Sequence, residues 1–203
     1  GDVPDERRVK VIKLNHALKF QTGIYPYSVM TSIFAPVDGT GRERFAPAKI
    51  SVSAQEWCGH VYQQLHPKGD HFWSAGHSYF GAEGDSSARV QTAPFTLYED
   101  ALLIQLRELD GPFADGGDWS GQLVPAMWHA RKAHVPLEPT PATITRRSAE
   151  REGTPVTRFT ISYGQQTRTV DVETAAPRRV LGWTTNDGEK ATLVGSERLP
   201  YWK

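Results

Sequence analysis

The 203-residue sequence predicts a mainly β protein, built as a strongly curved antiparallel sheet or half-barrel with one short covering helix. Its 18 glycines and 14 prolines are frequent enough to separate many short strands by turns. The 8 Phe, 7 Tyr and 6 Trp residues suit a pleated, half-buried surface. Several segments alternate apolar and polar residues with a period of two, which is the pattern of a strand with one buried face.

The first half of the chain predicts a succession of strands. Residues 50–55 give the clearest example, because Ile50, Val52 and Ala54 alternate with polar neighbours. Turns that contain glycine separate several of the other predicted strands, which are residues 9–14, 24–37, 60–65, 71–80 and 88–97.

Residues 99–109 form the one segment that is predicted to be a helix. Apolar side chains recur there near helical spacing, and Gly111-Pro112 ends the pattern. A Gly/Asp-rich stretch over residues 110–121 follows, and we expect it to be a long mobile loop.

The C-terminal third predicts a meander of two hairpins. Residues 156–163 and 166–173 flank Gly164, and residues 180–185 and 190–197 flank an Asp187-Gly188 pair. An Asp-Gly pair favours a tight hairpin turn.

The domain organisation follows from the same pattern. Residues 136–141 are the best linker candidate, but strands are expected on both sides of them. We therefore predict a flexible segment over residues 1–8 and a single β-rich domain over residues 9–203.

Composition restricts the classes of partner. Lys plus Arg equals Asp plus Glu, 23 of each, which argues against a nucleic-acid binder because such proteins carry a basic excess or stripe. No segment approaches the roughly 20 apolar residues that span a bilayer. The single cysteine, Cys58, excludes an internal disulfide.

Cys58 and His60 are the weak candidates for a metal site or a nucleophile. At i and i+2 on a strand they would share one face, and both could bind one zinc ion. A structural zinc site needs four ligands, however, and His71 and His77 lie too far along their strand to complete it. The favoured interpretation is a buried thiol with hydrogen-bonded or surface imidazoles, so no metal, cofactor or catalytic residue is predicted.

Acidic pairs and aromatic residues are the remaining candidates. Paired carboxylates at Glu83/Asp85, Glu99/Asp100 and Asp110/Asp115/Asp118 would suit glycoside hydrolysis if they flanked a bond, but solvated turns account for them. The predicted ligand-binding residues are Trp57, Trp73, Tyr79 and Trp119, although such side chains more often fill a β core. Trp119 is expected to be exposed because it lies in the Gly/Asp-rich stretch.

Three stretches, residues 20–32, 53–60 and 78–85, carry a family resemblance. Together they resemble a family of uncharacterised exported bacterial proteins, often lipoproteins, some of which bear a "septum formation inhibitor" label. The chain does not resemble the cytoplasmic nucleotide pyrophosphatases of that name. The resemblance covers residues 9–110 and, more faintly, 177–202, and it implies an exported protein without a known activity. The order of elements is also similar to lipoprotein carriers, in which a bent antiparallel sheet wraps a helix.

These observations lead to a functional hypothesis with two alternatives. The chain is expected to be an exported, non-enzymatic domain of the periplasm or cell envelope, and a lipid anchor removed by trimming is left open as an alternative. Its partner would be a hydrophobic small molecule, a lipid or an envelope protein, and not a nucleic acid. The alternatives are a hydrolase or metal-dependent enzyme centred on Cys58 and His60, and a structural accessory subunit of an envelope assembly.

Overall fold

A computed structural model describes residue 4 and residues 8–38, 45–109 and 117–200. Backbone contacts divide the chain into two compact units. Unit 1 comprises Gly1–Gln105 and Gly121–Pro141, and unit 2 comprises Leu106–Ser120 and Ala142–Lys203. The prediction of a single domain stays a prediction, and the predicted flexible segment over residues 1–8 lies almost wholly outside the described residues.

The prediction of a mainly β, antiparallel protein is confirmed. The strands form a six-stranded and a seven-stranded sheet, and neither closes into a barrel. Strong curvature stays a prediction. The elements are β1 Val11–Thr22, β2 Tyr25–Pro36, β3 Lys49–Glu56, β4 Gly59–Lys68, β5 His71–Ser78, β6 Asp85–Gln91, β7 Leu97–Tyr98, α1 Glu99–Leu109, β8 Trp119–Val124, α2 Met127–Ala133, β9 Thr140–Arg151, β10 Thr154–Tyr163, β11 Gln166–Glu173, β12 Val180–Thr185 and β13 Lys190–Thr192.

In unit 1, strands β1 to β6 form an antiparallel meander in sequence order. Every second residue of the central strands is buried, as the period of two predicts. The buried face carries the apolar side chains Val29, Ile33, Ile50, Val52, Leu65 and Phe72. We call the opposite face, which carries Lys13, Lys49, His66, Trp73 and Arg89, the outer face.

Unit 1 also contains helix α2, residues 99–105 of α1 and the short parallel pairing of β7 with residues 123–124 of β8. The ring of Tyr98 in β7 meets Phe72 of the sheet edge to face, with centroids 6.2 Å apart. Helix α2 packs against β3 and buries Met127 and Ala130. The apolar face of the sheet is thus already buried within the protein.

Helix α2 begins where two acidic side chains of α1 meet its first backbone groups. The Ala126 N–H donates to Glu99 Oε2 at 2.9 Å, and the Met127 N–H donates to Asp100 Oδ2 at 3.0 Å. Both carboxylates therefore stabilise a helix N-terminus whose own N-cap residue, Ala126, supplies no side-chain acceptor.

Several elements differ from the sequence prediction, and the predicted strand over 88–97, for example, ends at Gln91. The prediction of one helix was incomplete, because the described residues contain α2 as well as α1. Helix α2 has seven residues, too few for a helical repeat to stand out in the sequence. The linker candidate over 136–141 ends where the chain passes from unit 1 to unit 2, between Pro141 and Ala142, and its last two residues begin the 12-residue strand β9.

In unit 2, strands β9 to β13 form an antiparallel meander, which confirms the first predicted hairpin. The second predicted hairpin is confirmed in part, because its last strand ends at Thr192 and not at residue 197. One face buries Ile144, Phe159, Ile161 and Val170. The register shifts at Asp171/Val172 in β11, where a bulge interrupts pairing with β12. None of the helices in the described part of the chain is long and apolar enough to cross a membrane.

A buried carboxylate lies on the other face of the unit 2 sheet. Asp171 accepts hydrogen bonds from Arg158 at 2.7 and 3.0 Å and from Arg151 at 3.3 Å. Burial alone raises the pKa of Asp171, but the hydrogen bonds and positive charges of Arg158 and Arg151 outweigh it and hold that pKa below the ordinary value. Asp171, Arg158 and Arg151 thus form a structural ion-pair network on this face of the sheet.

Candidate binding site

The hairpin of β1 and β2 extends past the rest of its sheet. Strands β1 and β2 pair as far as Thr22 and Tyr25, whereas the pairing of β2 with β3 stops at Ser28. The turn contains Gly23, whose φ of 63° favours glycine, and Ile24, whose side chain is 81% exposed. The last rungs of the hairpin therefore lack a third strand beside them.

Aromatic side chains occupy this projecting end. Phe20 and Tyr27 are paired in register, and their rings stack with centroids 5.3 Å apart. Tyr25 contacts Trp57 with ring centroids 5.0 Å apart. We call the surface of Phe20, Ile24, Tyr25, Tyr27 and Trp57 the hairpin-end surface.

Trp57 reaches this surface from the two-residue turn between β3 and β4. A side chain in such a turn has no neighbouring strand to cover it, and Trp57 is 65% exposed. Tyr79 lies beside the same turn, since its N–H donates to the His60 carbonyl at 3.0 Å and its ring lies against Gly59. Tyr79 is 68% exposed. Two of the four predicted ligand-binding residues thus lie at one end of the sheet.

A shallow groove of about 730 Å³ runs beside the hairpin. Its walls combine aromatic, amide, hydroxyl and ammonium groups. They are formed by Lys19, Phe20, Gln21, Pro26, Tyr27, Ser28 and Gln55.

The other two predicted residues lie elsewhere. Trp73 lies on the outer face of β5, six residues before Tyr79, or about 20 Å along an extended strand. Trp119 belongs to β8 and is 7% exposed, so the expectation that it is exposed was wrong. Residues 110–116 of the predicted Gly/Asp loop lie outside the described residues, and Trp119 to Gly121 belong to a strand instead.

Cys58 and His60 do not share a strand, because Cys58 lies in the turn before β4. The expectation of a buried thiol was also wrong, since Cys58 is exposed. Among the described residues no hydrogen bond joins Cys58 to His60 or to a carboxylate, and no group of three or more His, Cys, Asp or Glu could hold a metal ion. The hypothesis of an enzyme centred on this pair therefore gains no support from the geometry.

The first acidic pair has partners of its own in unit 1. Glu83 accepts a hydrogen bond from the Ser78 hydroxyl at 2.6 Å and pairs with Arg131 at 2.9 Å. The hydrogen bonds from Ser78 and Arg131 lower the pKa of Glu83. Asp85 bonds to His77 Nδ1 at 2.9 Å. These carboxylates hold a turn and an edge strand in place rather than flanking a shared cleft.

The other described acidic candidates also have partners of their own. Glu99 and Asp100 bond to the start of α2, as described above. Asp118 accepts two hydrogen bonds from Arg147 in unit 2, at 2.6 and 2.9 Å, and these lower the pKa of Asp118. Asp110 and Asp115 lie outside the described residues.

The sequence prediction missed the residues that build the hairpin-end surface around Trp57. Phe20, Ile24, Tyr25 and Tyr27 all lie close to Gly23 in the sequence. A glycine turn within a run of aromatic residues is the signal that could have identified them, because a hairpin tip leaves such side chains beyond the sheet. No family model, no curated protein and no solved structure matches this chain. The family resemblance and the exported setting stay predictions.

Proposed function

We propose that this protein is a non-enzymatic binding domain whose hairpin-end surface binds an extended, apolar segment of a partner protein. The observation that carries the proposal is the pair of aromatic contacts, Phe20 with Tyr27 and Tyr25 with Trp57, on an exposed and projecting hairpin. Interface positions are enriched in Trp and Tyr, and a few such anchors supply most of the binding free energy.

The exposure of these side chains supports a binding role over a role in folding. Trp57 and Ile24 leave most of their apolar surface in water, which is a free-energy cost that burial against a partner would remove. The core of unit 1 does not need them, because helix α2 and Tyr98 pack against its sheet on the buried face.

The backbone beside the hairpin-end surface supports a partner in extended conformation. Strand β1 is the last strand of its sheet, and in the described part of the chain it pairs only with β2. As an edge strand of 12 residues, it presents a long row of N–H and C=O groups along which a further strand can be added. A peptide strand that adds to such an edge gains main-chain hydrogen bonds, and the neighbouring aromatic side chains select its sequence.

A small apolar ligand is the second candidate, favoured by the groove beside Lys19 and Phe20. The buried face of the sheet does not favour it, because side chains of the protein fill that face. Native mass spectrometry of protein purified from its own organism separates the two candidates. A co-purifying small apolar mass would support the ligand, and a mass equal to that of the chain alone would support the protein partner.

The proposal is tested by photo-crosslinking inside the organism that makes the protein. A photoreactive p-benzoylphenylalanine replaces Ile24 in one variant and Phe95, another exposed apolar residue of unit 1, in the control. We expect one discrete covalent adduct with a second protein at position 24 and none at position 95. The absence of an adduct at position 24, or the same adducts at both positions, would overturn the proposal.

A further inference from the structure

Charge is strongly segregated between the two faces of the six-stranded sheet. Strands β1 to β6 contain five Lys and Arg residues, and the register places all five on the outer face. They are Lys13, Lys19, Lys49, Lys68 and Arg89. The one strand carboxylate on that face, Asp85, is bonded to His77. The balanced composition of the whole chain conceals this basic face.

Lys13, Lys49 and Arg89 lie in one row across the strands, perpendicular to them. Phe34 pairs with both Lys13 and Lys49, and Trp73 pairs with Arg89. With strands about 4.8 Å apart, the row spans about 24 Å from β1 to β6. It is long enough for a linear polyanion several units in length.

The cations of the outer face act on His66, which lies in this row. Burial lowers the pKa of His66, and the positive charges of Lys49 and Lys68 lower it further. Asp70, in the turn after β4, bonds to His71 Nδ1 at 2.7 Å, and the Arg89 guanidinium lies 3.3 Å from the same nitrogen. A ligand with negative charges would relieve the repulsion among the cations.

We propose that the outer face binds an acidic polysaccharide along this row. Trp73 is 43% exposed and offers one flat ring against which the apolar face of a sugar can pack. In the next row, Ser51, Gln64 and Ser87 lie beside the small residue Ala75, and their hydroxyl and amide groups suit hydrogen bonds to sugar hydroxyl groups. Lys49 and Arg89 would pair with carboxylates.

The aromatic residues of this face favour a polysaccharide over single-stranded nucleic acid. Nucleic-acid platforms stack successive bases on several free rings. Here the Lys13 ammonium covers Phe34, 5.0 Å from the ring centroid, and the half-buried Tyr62 donates its hydroxyl to Gln64 at 3.1 Å. Trp73 is the one exposed Trp, Tyr or Phe ring that strands β1 to β6 place on the outer face.

The test measures binding of the full chain to polygalacturonate, to uncharged dextran and to poly(dT) by isothermal calorimetry at low ionic strength. Polygalacturonate should bind, dextran should not, and a Lys49→Gln/Arg89→Gln variant should bind polygalacturonate about tenfold or more weakly. Trp73→Ala should weaken it by a similar factor. The control, Lys190→Gln/Arg198→Gln, removes two exposed cations of unit 2 and should bind as the unchanged protein does.

Three results would overturn the proposal. The first is the absence of polygalacturonate binding in the unchanged protein. The second is an equal loss of binding in the Lys190→Gln/Arg198→Gln control, which would show attraction by net charge alone. The third is tighter binding of poly(dT) that depends on Lys49, Arg89 and Trp73, which would identify a nucleic-acid surface instead.

Discussion

Gly59 lies so close to the ring of Tyr79 that a Cβ atom at position 59 would overlap Cβ and Cγ of the tyrosine. Gly59 also has a φ of 149°, a conformation that other residues rarely adopt. The contact therefore requires glycine for two reasons, and it fixes Tyr79 beside the turn that carries Trp57.

Replacing Gly59 with alanine should lower the free energy of unfolding by about 2–4 kcal/mol, because backbone strain and the overlap with Tyr79 add together. Gly69→Ala is the matched control, because Gly69 has a φ of 64° but open space around it. This substitution should lower the free energy of unfolding by about 1 kcal/mol. Urea unfolding measures both. Equal costs would show that the contact with Tyr79 is unimportant.

Asp171→Asn should destabilise the protein by about 2–4 kcal/mol near neutral pH, because two arginines lose the carboxylate that they share. Partial solvent exposure of Arg158 places the cost toward the lower end. Glu150→Gln makes the same chemical change at an exposed position of β9 and should cost less than about 0.5 kcal/mol. A similar result for both variants would show that the buried network adds nothing to stability.

The stability lost in Asp171→Asn should itself depend on pH. The pKa of Asp171 is lower in the folded protein than in the unfolded chain, where it is about 3.9. The carboxylate's contribution is therefore fully present above the unfolded pKa and is lost as the pH falls through the folded pKa. Urea midpoints of the unchanged and Asp171→Asn proteins should converge below about pH 4. A constant difference across that range would contradict the assigned direction.

Glu99→Ala should lower the free energy of unfolding by about 1–2 kcal/mol, because the Ala126 N–H at the start of α2 loses its hydrogen-bond acceptor. Glu99→Gln should cost less, since its amide oxygen can still accept that hydrogen bond. Thermal unfolding followed by circular dichroism compares both variants with Glu108→Ala at the exposed end of α1. Equal costs for Glu99→Ala and Glu108→Ala would show that the helix start does not depend on this contact.

Period-two alternation made the strands of unit 1 predictable from the sequence. The pattern at Ile50, Val52 and Ala54 identified both β3 and its buried face, and the predicted helix over 99–109 has the bounds of α1. Helix α2 was not predictable, because its N-terminus is stabilised by Glu99 and Asp100, which lie about 27 residues earlier.

The candidate site was only partly predictable, because exposure depends on pairing between distant strands. Trp57 and Trp119 are both tryptophans near turn-forming residues. Trp57 lies in a two-residue turn and is exposed, whereas Trp119 begins a strand and is buried. The basic outer face was likewise hidden, because its lysines and arginine come from four different strands and meet only through the sheet register.

Trp57→Ser should change the free energy of unfolding by less than about 1 kcal/mol, because this side chain is mostly in water. Phe72→Ala, at a fully buried aromatic of the same unit, should cost about 3–5 kcal/mol. Urea unfolding of both variants checks the contrast. A cost at Trp57 close to that at Phe72 would mean that Trp57 stabilises the fold rather than offering a surface.

The measurement that tests the proposed function most directly is the affinity of the crosslinked partner, once purified, for the unchanged protein and for a Tyr25→Ser/Trp57→Ser variant. The loss of two central aromatic anchors should weaken binding about 100-fold or more in isothermal calorimetry, while Phe95→Ser leaves it unchanged. An affinity within about twofold of the unchanged protein would contradict the account, because the partner would then bind somewhere other than the hairpin-end surface.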